Sequence, residues 1–512
     1  MKAKNLAVLV FFYTISCLSQ PAIEWQKSLG GSVTDFASSI IQSSDAGYII
    51  CGRSNSTDGD VTGNHGDYDF WIVKLNASGE LGWQRSLGGS DRDIANSIIQ
   101  TQDSGFIVGG SSISNDGDVT GNHGGTDCWV VKLDSAGVIE WQRTFGGTGN
   151  DGVSAIQQTT DGGYIVSAVS DSNDGDVSGN HGSADYWVIK LNNLGIIEWQ
   201  KSLGGSNYEE NHSIKQTSDD GYILAGLSHS NDGDVTGNHG SSDYWIVKLS
   251  TGGDVEWQKS FGGSDIDTAN SIQQTLDGGY VVVGISQSDD GDVIGNQGGA
   301  DSWVIKLSDT GDIEWQRSLG GSLFDAGYNI QQTQEGGYMI GGYSNSNDGD
   351  VTGNHGNEDY WIVKLNNLGN IVWQKSLGGS NFDSAYTTDQ TLDGDFIVAG
   401  SSDSNDGDVS GNHGGRDFWI VKLSTNLGNI DEVFNNLITL YPNPNNGLFT
   451  LEFLEETNAT SFNITDIQGK VVYSENINSS LQILIDHSFK SGLYFINIIS
   501  DLSKNTIKFI VK

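Results

Sequence analysis

The residues in this chain best suited to chemistry are aspartates held at a fixed spacing. From Asn115 to Asp127 the sequence reads NDGDVTGNHGGTD. Counted from Asp116, oxygen donors fall at places 1 (Asp116), 3 (Asp118), 5 (Thr120), 7 (the backbone carbonyl of Asn122) and 12 (Asp127), with Gly121 at place 6. Alternate residues of a tight loop present their oxygens to one side, and Ca2+ takes six to eight oxygen ligands. The same set recurs as Asp58, Asp60, Thr62, Asn64 and Asp69; Asp174, Asp176, Ser178, Asn180 and Asp185; and Asp232, Asp234, Thr236, Asn238 and Asp243. It continues as Asp290, Asp292, Asn296 and Asp301; Asp348, Asp350, Thr352, Asn354 and Asp359; and Asp406, Asp408, Ser410, Asn412 and Asp417. Ile294 stands at place 5 of the fifth copy, which is expected to hold a cation most weakly. One calcium per copy is the expectation. The alternative is that each aspartate caps its own turn, although carboxylates packed so densely repel one another.

The loop resembles the calcium loop of an EF-hand, in which the same places carry ligands and a glycine makes the sharp turn. It departs from that pattern in having aspartate at place 12 and strands on either side. A second acidic position follows each G-G-[ST] turn: Asp35, Asp93, Asp151, Glu209, Asp267, Asp325 and Asp383. Histidines recur once per copy at His65, His123, His181, His239, His355 and His413, with Gln297 in the remaining place. That spacing gathers no zinc cluster along the sequence and suits a surface or loop-packing role.

Tryptophan shows which elements must position these loops. Trp25, Trp83, Trp141, Trp199, Trp257, Trp315 and Trp373 open a W-Q-[KR]-[ST]-[LF]-G-G motif, and Trp71, Trp129, Trp187, Trp245, Trp303, Trp361 and Trp419 sit in W-[IV]-[IV]-K-L. Together they are all 14 tryptophans of the chain, and they define a 58-residue period without insertion. Each period reads as four short β-rich runs between turns, in the second copy Ser97–Thr101, Phe106–Ser111, Cys128–Leu133 and Val138–Thr144. Four antiparallel strands per unit, repeated, is the pattern of an all-β propeller, here with seven blades. The last copy lacks its W-Q strand while residues 23–31 supply one before any blade has begun. The N-terminal strand is therefore expected to complete the last blade, leaving no open sheet edge.

The formal net charge of −40 at pH 7 disfavours nucleic acid and anionic membranes as partners. Cys51 and Cys128 occupy non-equivalent strands and read as buried hydrophobes. Residues 1–19 read as a signal peptide, two lysines ahead of an apolar run, with cleavage expected after Ser19. Cys17 raises a lipoprotein alternative. No later apolar run approaches the ~20 residues of a membrane helix. The domain reading is a propeller over 20–430, a linker at 431–436 and a C-terminal β-sandwich over 437–512.

Sevenfold regularity argues against catalysis, which needs unlike groups converging at one place. The most irregular stretch is NYEENHSIK, Asn207 to Lys215, with His229 in the same blade. Glu210 and His212 are the only weak catalytic candidates, as a general acid–base group. G-x-S-x-G, H-E-x-x-H and P-loop signatures are absent.

From Leu437 the text changes to LITLYPNPNNGLFTLEF, FNITDIQGKVVY, SGLYFINI and KNTIKFIVK, short alternating strands of a small sandwich. Tyr441-Pro442-Asn443-Pro444 with Gly447, Asp466 to Gly469-Lys470, Gly492-Leu493-Tyr494 and the terminal lysines resemble the type A C-terminal sorting domain of the type IX secretion system. The resemblance implies engagement with that machinery and export through the periplasm to the outside or outer surface of a Gram-negative cell. The repeats are similar to propeller repeats of bacterial and archaeal surface proteins, which implies a fold and no activity. The expected function is a non-catalytic, calcium-stabilised surface module for adhesion to glycan or protein. An extracellular polysaccharide hydrolase or lyase and a structural spacer are the alternatives.

Overall fold

The structure, a computed structural model, describes residues 20–424 and, further on, 438–441, 447–453, 459–466, 470–476, 482–500 and 504–511. The leader and linker read from the sequence lie outside these residues. The chain divides into two compact units, Met1–Thr425 and Asn426–Lys512.

Seven four-stranded antiparallel sheets make up the first unit. With strands numbered in chain order, β2 (Asp35–Gln42), β3 (Tyr48–Ser54), β4 (Asp69–Leu75) and β5 (Leu81–Leu87) form one blade, and the pattern repeats. The last blade takes its outer strand from the other end of the chain. Its order is β1 (Ala22–Leu29), β28 (Asp417–Ser424), β27 (Phe396–Ser402), β26 (Asp383–Gln390). In this clasp Trp25 pairs with Lys422 and Ser28 with Trp419. The Trp419 indole N–H donates to Gln26 Oε1 at 2.8 Å, as Trp71 does to Gln84 at 2.9 Å within a single blade.

The W-[IV]-[IV]-K-L strand is buried along its whole length because both its faces meet a neighbouring blade. Trp71 and Val73 pack toward Phe418 and Ile420 on one side, while Phe70 and Ile72 pack toward Ala95, Val108 and Trp129 on the other. No blade buries its apolar faces alone, so the ring is the folding unit. The W-Q tryptophans lie farther out, and Trp25, Trp83, Trp141, Trp199, Trp257 and Trp315 each lie over a turn of the next blade. Gly79, at φ +77°, turns beneath Trp25, and a Cβ there would come within 2.9 Å of the ring.

Two further devices repeat around the ring. The lysine of each K-L pair is almost buried and is neutralised locally: Lys132 Nζ lies 2.9 Å from both Asp103 and Glu140. Lys364 has one carboxylate partner among the described residues, Glu335, since Val372 stands where Glu140 does in its copy. The glutamine ending each first strand accepts a backbone N–H of the blade before it: Gln100 from Ser44 at 2.7 Å, Gln158 from Gln102, Gln216 from Thr160, Gln274 from Ser218, Gln332 from Leu276 and Gln390 from Gln334. Gln42, accepting from Leu392 at 2.7 Å, closes this girdle.

The first strands differ from the expectation. The strand expected at Ser97–Thr101 spans Asp93–Gln100. Its alternation is broken by a bulge, with Ala95 opposite Gly110, Ser97 opposite Gly109, and Asn96 between them unpaired.

In the second unit, β29 (Ile438–Tyr441), β30 (Leu448–Phe453) and β33 (Gln482–Asp486) form one sheet. The other is β32 (Val471–Asn476), β31 (Ala459–Asp466), β34 (Gly492–Ser500) and β35 (Lys504–Val511). Phe449, Leu451 and Ile485 from the first sheet share a core with Phe462, Ile464, Tyr494 and Ile496 from the second, the arrangement of an Ig-like sandwich.

Candidate functional site

The structure divides the expected cation ligands between two places. In the first loop, Asp58 and Asp60 turn toward the Gly30-Gly31-Ser32 turn that leads from the last blade into their own. Ser32 N–H donates to Asp58 Oδ1 at 2.7 Å, and the Asp60 amide donates to Gly30 O at 2.8 Å. The Ser32 bonds hold the Asp58 carboxyl below its usual range. Thr62 O accepts from Ser86 Oγ at 3.1 Å, and Asn64 Nδ2 donates to Ser54 O at 2.8 Å, so places 5 and 7 pack the loop. Asp69, at place 12, faces the next blade. The other copies repeat this division, as in Ser90 to Asp116, Thr148 to Asp174, Ser206 to Asp232, Ser264 to Asp290, Ser322 to Asp348 and Ser380 to Asp406. Among the described residues no three His, Cys, Asp or Glu side chains are gathered closely enough to hold a metal.

What is gathered at each blade junction is a pair of buried carboxylates. Asp69 Oδ2 accepts from the His65 amide at 3.0 Å and faces its Nδ1 at 2.7 Å, which is the loop-packing role of the motif histidine. Its Oδ1 has no hydrogen-bond partner. Across the junction, Asp93 Oδ2 accepts from Gly89 N–H at 2.8 Å and Ser114 Oγ at 2.9 Å. Both carboxylates crowd Gly88, where a Cβ would lie 2.6 Å from Asp93 Oδ2 and 2.7 Å from Asp69 Oδ1. Burial pushes Asp69, Asp243 and Asp417 up to about 6 against the pull of their histidines. At Asp301, where Gln297 replaces histidine, burial and neighbouring carboxylates push it up to about 7.

The second site breaks the sevenfold pattern. The inner ring consists of β2, β6 (Asp93–Gln100), β10 (Asp151–Gln158), β14 (Glu209–Gln216), β18 (Asp267–Gln274), β22 (Asp325–Gln332) and β26, each beside the next, with β26 returning to β2. A cavity of about 550 Å3 opens within it, lined by Phe36, Ser38, Glu210, His212, Thr268, Asn270, Phe324, Tyr328 and Tyr386 among others. Ser38, His212, Asn270, Tyr328 and Tyr386 occupy the bulge position of their strands. A bulge re-aims its side chain, and here it turns a variable residue inward from five of the blades.

One wall of the cavity is aromatic. Phe36 lies 4.7 Å from Tyr386 between ring centres, Tyr386 lies 5.1 Å from Tyr328, and Tyr328 stacks on Tyr343 at 5.5 Å. The Arg53 guanidinium lies 4.4 Å over the Phe36 ring. Opposite stand Glu210 and His212. His212 Nδ1 faces Ala269 O at 3.0 Å and its Nε2 faces Glu210 Oε1 at 3.4 Å, so each ring nitrogen is placed to donate to an acceptor. Tyr208 donates to Glu210 Oε2 at 2.9 Å. The hydrogen bond from His212, outweighing burial, holds the Glu210 carboxyl below its usual range.

Lys215, from the same irregular stretch, is elsewhere. It lines a second cavity of about 470 Å3 among Gln157, Gln216 and Gln273. Its side chain is exposed there. His229 Nδ1 faces Ser241 O at 2.8 Å, outside the first cavity's lining. Sequence reasoning found Glu210 and His212 by their irregularity and missed Phe36, Tyr328 and Tyr386. The signal lay in comparing the same two strand positions across all copies.

Comparison with known proteins bears on destination. Residues 439–512 match the secretion system C-terminal sorting domain. The chain is a propeller protein sorted by the type IX secretion system, and it is secreted or held on the outer surface of a Gram-negative cell. No helix among the described residues is long and apolar enough to cross a membrane. No curated protein matches the sequence. Among solved structures the chain is similar to PorZ, a surface component of the type IX secretion system of Porphyromonas gingivalis, at 14% identity and TM-score 0.42 over 91% of this chain and 58% of PorZ. It is also similar to Sqt1 from Chaetomium thermophilum, at 10% identity and TM-score 0.41 over 78% of this chain and 99% of that one. YCF48 bound to a D1 peptide aligns at 8% identity and TM-score 0.41, over 80% and 100% of the two chains.

Proposed function

We propose that this propeller is a non-catalytic adhesion module that binds extracellular carbohydrate in the cavity of its inner ring. The observation carrying this reading is the composition of that cavity: an aromatic wall of Phe36, Tyr328 and Tyr386 faces polar groups on Glu210, His212 and Asn270. Binding sites are typically apolar concavities with a few placed polar groups. Aromatic faces suit the C–H faces of a pyranose, and carboxylate and amide oxygens suit its hydroxyls.

Hydrolysis is the second reading, favoured by the Glu210–His212 contact alone. Two features weigh against it. Glycoside hydrolysis uses two carboxyl groups across the scissile bond, one of them protonated. Glu210 is the sole carboxylate lining the cavity, and its pKa is lowered.

The purified full-length chain, titrated with a panel of extracellular polysaccharides and followed both for binding and for new reducing ends, tests the reading. Saturable binding without cleavage is expected. Product release would establish hydrolysis instead, and silence across the panel would favour the spacer.

A further inference from the structure

We propose that each of the seven blade junctions binds a hard divalent cation of the calcium type through a pair of buried carboxylates contributed by adjacent blades. Asp69 and Asp93 form one pair, Asp243 and Asp267 another. This stands apart from the carbohydrate reading and does not rest on it.

In all seven third-strand aspartates the side chain is 0% exposed and Oδ1 has no hydrogen-bond partner. A single such atom could be an accident of packing, but seven at equivalent places are a property of the repeat. A buried acceptor left without a donor costs about 1–3 kcal/mol, more when charged, so something must face it.

A second buried carboxylate lies beside the same glycine as the first. Beside Gly262, a Cβ would lie 2.8 Å from Asp243 Oδ1 and 2.5 Å from Asp267 Oδ2, and the other six junctions repeat this geometry within a few tenths of an ångström. Only glycine leaves room for the pair, which accounts for the first glycine of every G-G-[ST] motif. The neutral donors at the junction serve other oxygens: the His239 amide bonds Asp243 Oδ2 at 3.0 Å, and Gly263 N–H bonds Asp267 Oδ2 at 2.8 Å.

Two buried carboxylates cannot both stay ionised side by side without a counter-charge; the histidine ring against the third-strand aspartate can supply at most one such charge at each of six junctions, and Gln297 supplies none at Asp301. A shared proton would neutralise one charge, whereas a divalent cation neutralises both and gives Oδ1 a partner. The donors are all carboxylate oxygen, which favours calcium over softer metals. The exposed D-G-D carboxylates, engaged on backbone N–H groups, supply a negative surround. The ion thus moves from the loop, where spacing alone placed it, to the seam between blades, and it would tie each blade to its neighbour.

The test uses the full-length chain, stripped with EDTA, dialysed against about 5 mM CaCl2 and counted by elemental analysis and native mass spectrometry. That concentration exceeds the ~10⁻⁴–10⁻³ M dissociation constants of extracellular calcium modules. About seven calcium ions per chain are expected, with Asp243→Asn losing one and the loop variant Asp232→Asn losing none. Asp267→Asn, from the other side of a junction, reads the same single loss if Asp243→Asn does not fold. A wild-type chain that retains no calcium overturns the proposal and leaves the shared proton. Loss of one ion from Asp232→Asn but not from the junction variants also overturns it, by returning the ion to the loop.

Discussion

The blade junctions and the inner cavity lie in the same ring and are built on opposite principles. The regular positions do the same thing in every copy: at the junction an aspartate and a second acid crowd one glycine, and within the blade a tryptophan indole bonds a glutamine and a nearly buried lysine meets a carboxylate. In the cavity the same strand positions hold Phe36, Glu210 and Thr268, or Ser38, His212, Tyr328 and Tyr386. Repetition serves a ring, because each seam must be as strong as the others. Recognition needs unlike groups at one place, so it has to break the repeat. The comparison therefore assigns stability to the regular positions and ligand choice to the irregular ones.

Perturbing the regular part should produce the largest effects, starting at its one non-consecutive seam. Deleting Ala22–Leu29 bares the whole edge of β28 and removes the Gln26 partner of Trp419. Its expected cost exceeds ~5 kcal/mol, with aggregation through the open edge, read by chemical denaturation and light scattering. Next, Trp303→Ala empties the middle of one junction, where the indole is fully buried. A loss of about 3–5 kcal/mol is expected, with the transition remaining cooperative because the ring has no independent blade.

Acid should act on a different part of the regular scaffold. At Asp45, Asp103, Asp161 and Asp219, partial burial alone would raise the pKa, but hydrogen bonds from a serine or threonine and from the buried lysine outweigh it and hold each at about 2. A folded value below the unfolded 3.8 means that the unfolded chain takes up protons first. The stabilisation is complete above about pH 5 and fades as pH falls toward 2. The junction aspartates, pushed up to about 6, act in the opposite direction, so the effect is read as a difference: the melting-temperature loss caused by Asp103→Asn at pH 5 should shrink as pH falls to 2. The smallest effect belongs to Val372→Glu, which gives Lys364 the second carboxylate that Lys132, Lys190, Lys248, Lys306 and Lys422 have. A gain of about 0.5 kcal/mol is expected by denaturant titration.

The same comparison explains what was legible in the sequence. Blade number, the clasp around Trp25 and the C-terminal sandwich could be read because they rest on what recurs or on a compact local motif. The junction pair could not, because its members come from different copies: Asp69 closes one loop, and Asp93 follows the next G-G-S turn. Reading along one loop joined Asp69 to Asp58 and Asp60, whose carboxylates turn to another seam. The cavity was only half visible. Glu210 and His212 stood out as misfits in one copy, whereas Phe36, Tyr328 and Tyr386 look like ordinary strand residues until the bulge at residues 38, 212, 328 and 386 shows that they turn inward.

The division of labour is tested most directly by measuring polysaccharide affinity and melting temperature together on Tyr386→Ala, a half-buried residue of the cavity wall. Affinity for the bound polysaccharide should fall about tenfold or more, since a central aromatic anchor carries ~1.4 kcal/mol or more of binding, while the melt stays within a few degrees of wild type. Unchanged affinity, or a loss of affinity only in step with unfolding, would contradict the account and leave the inner cavity as part of the scaffold.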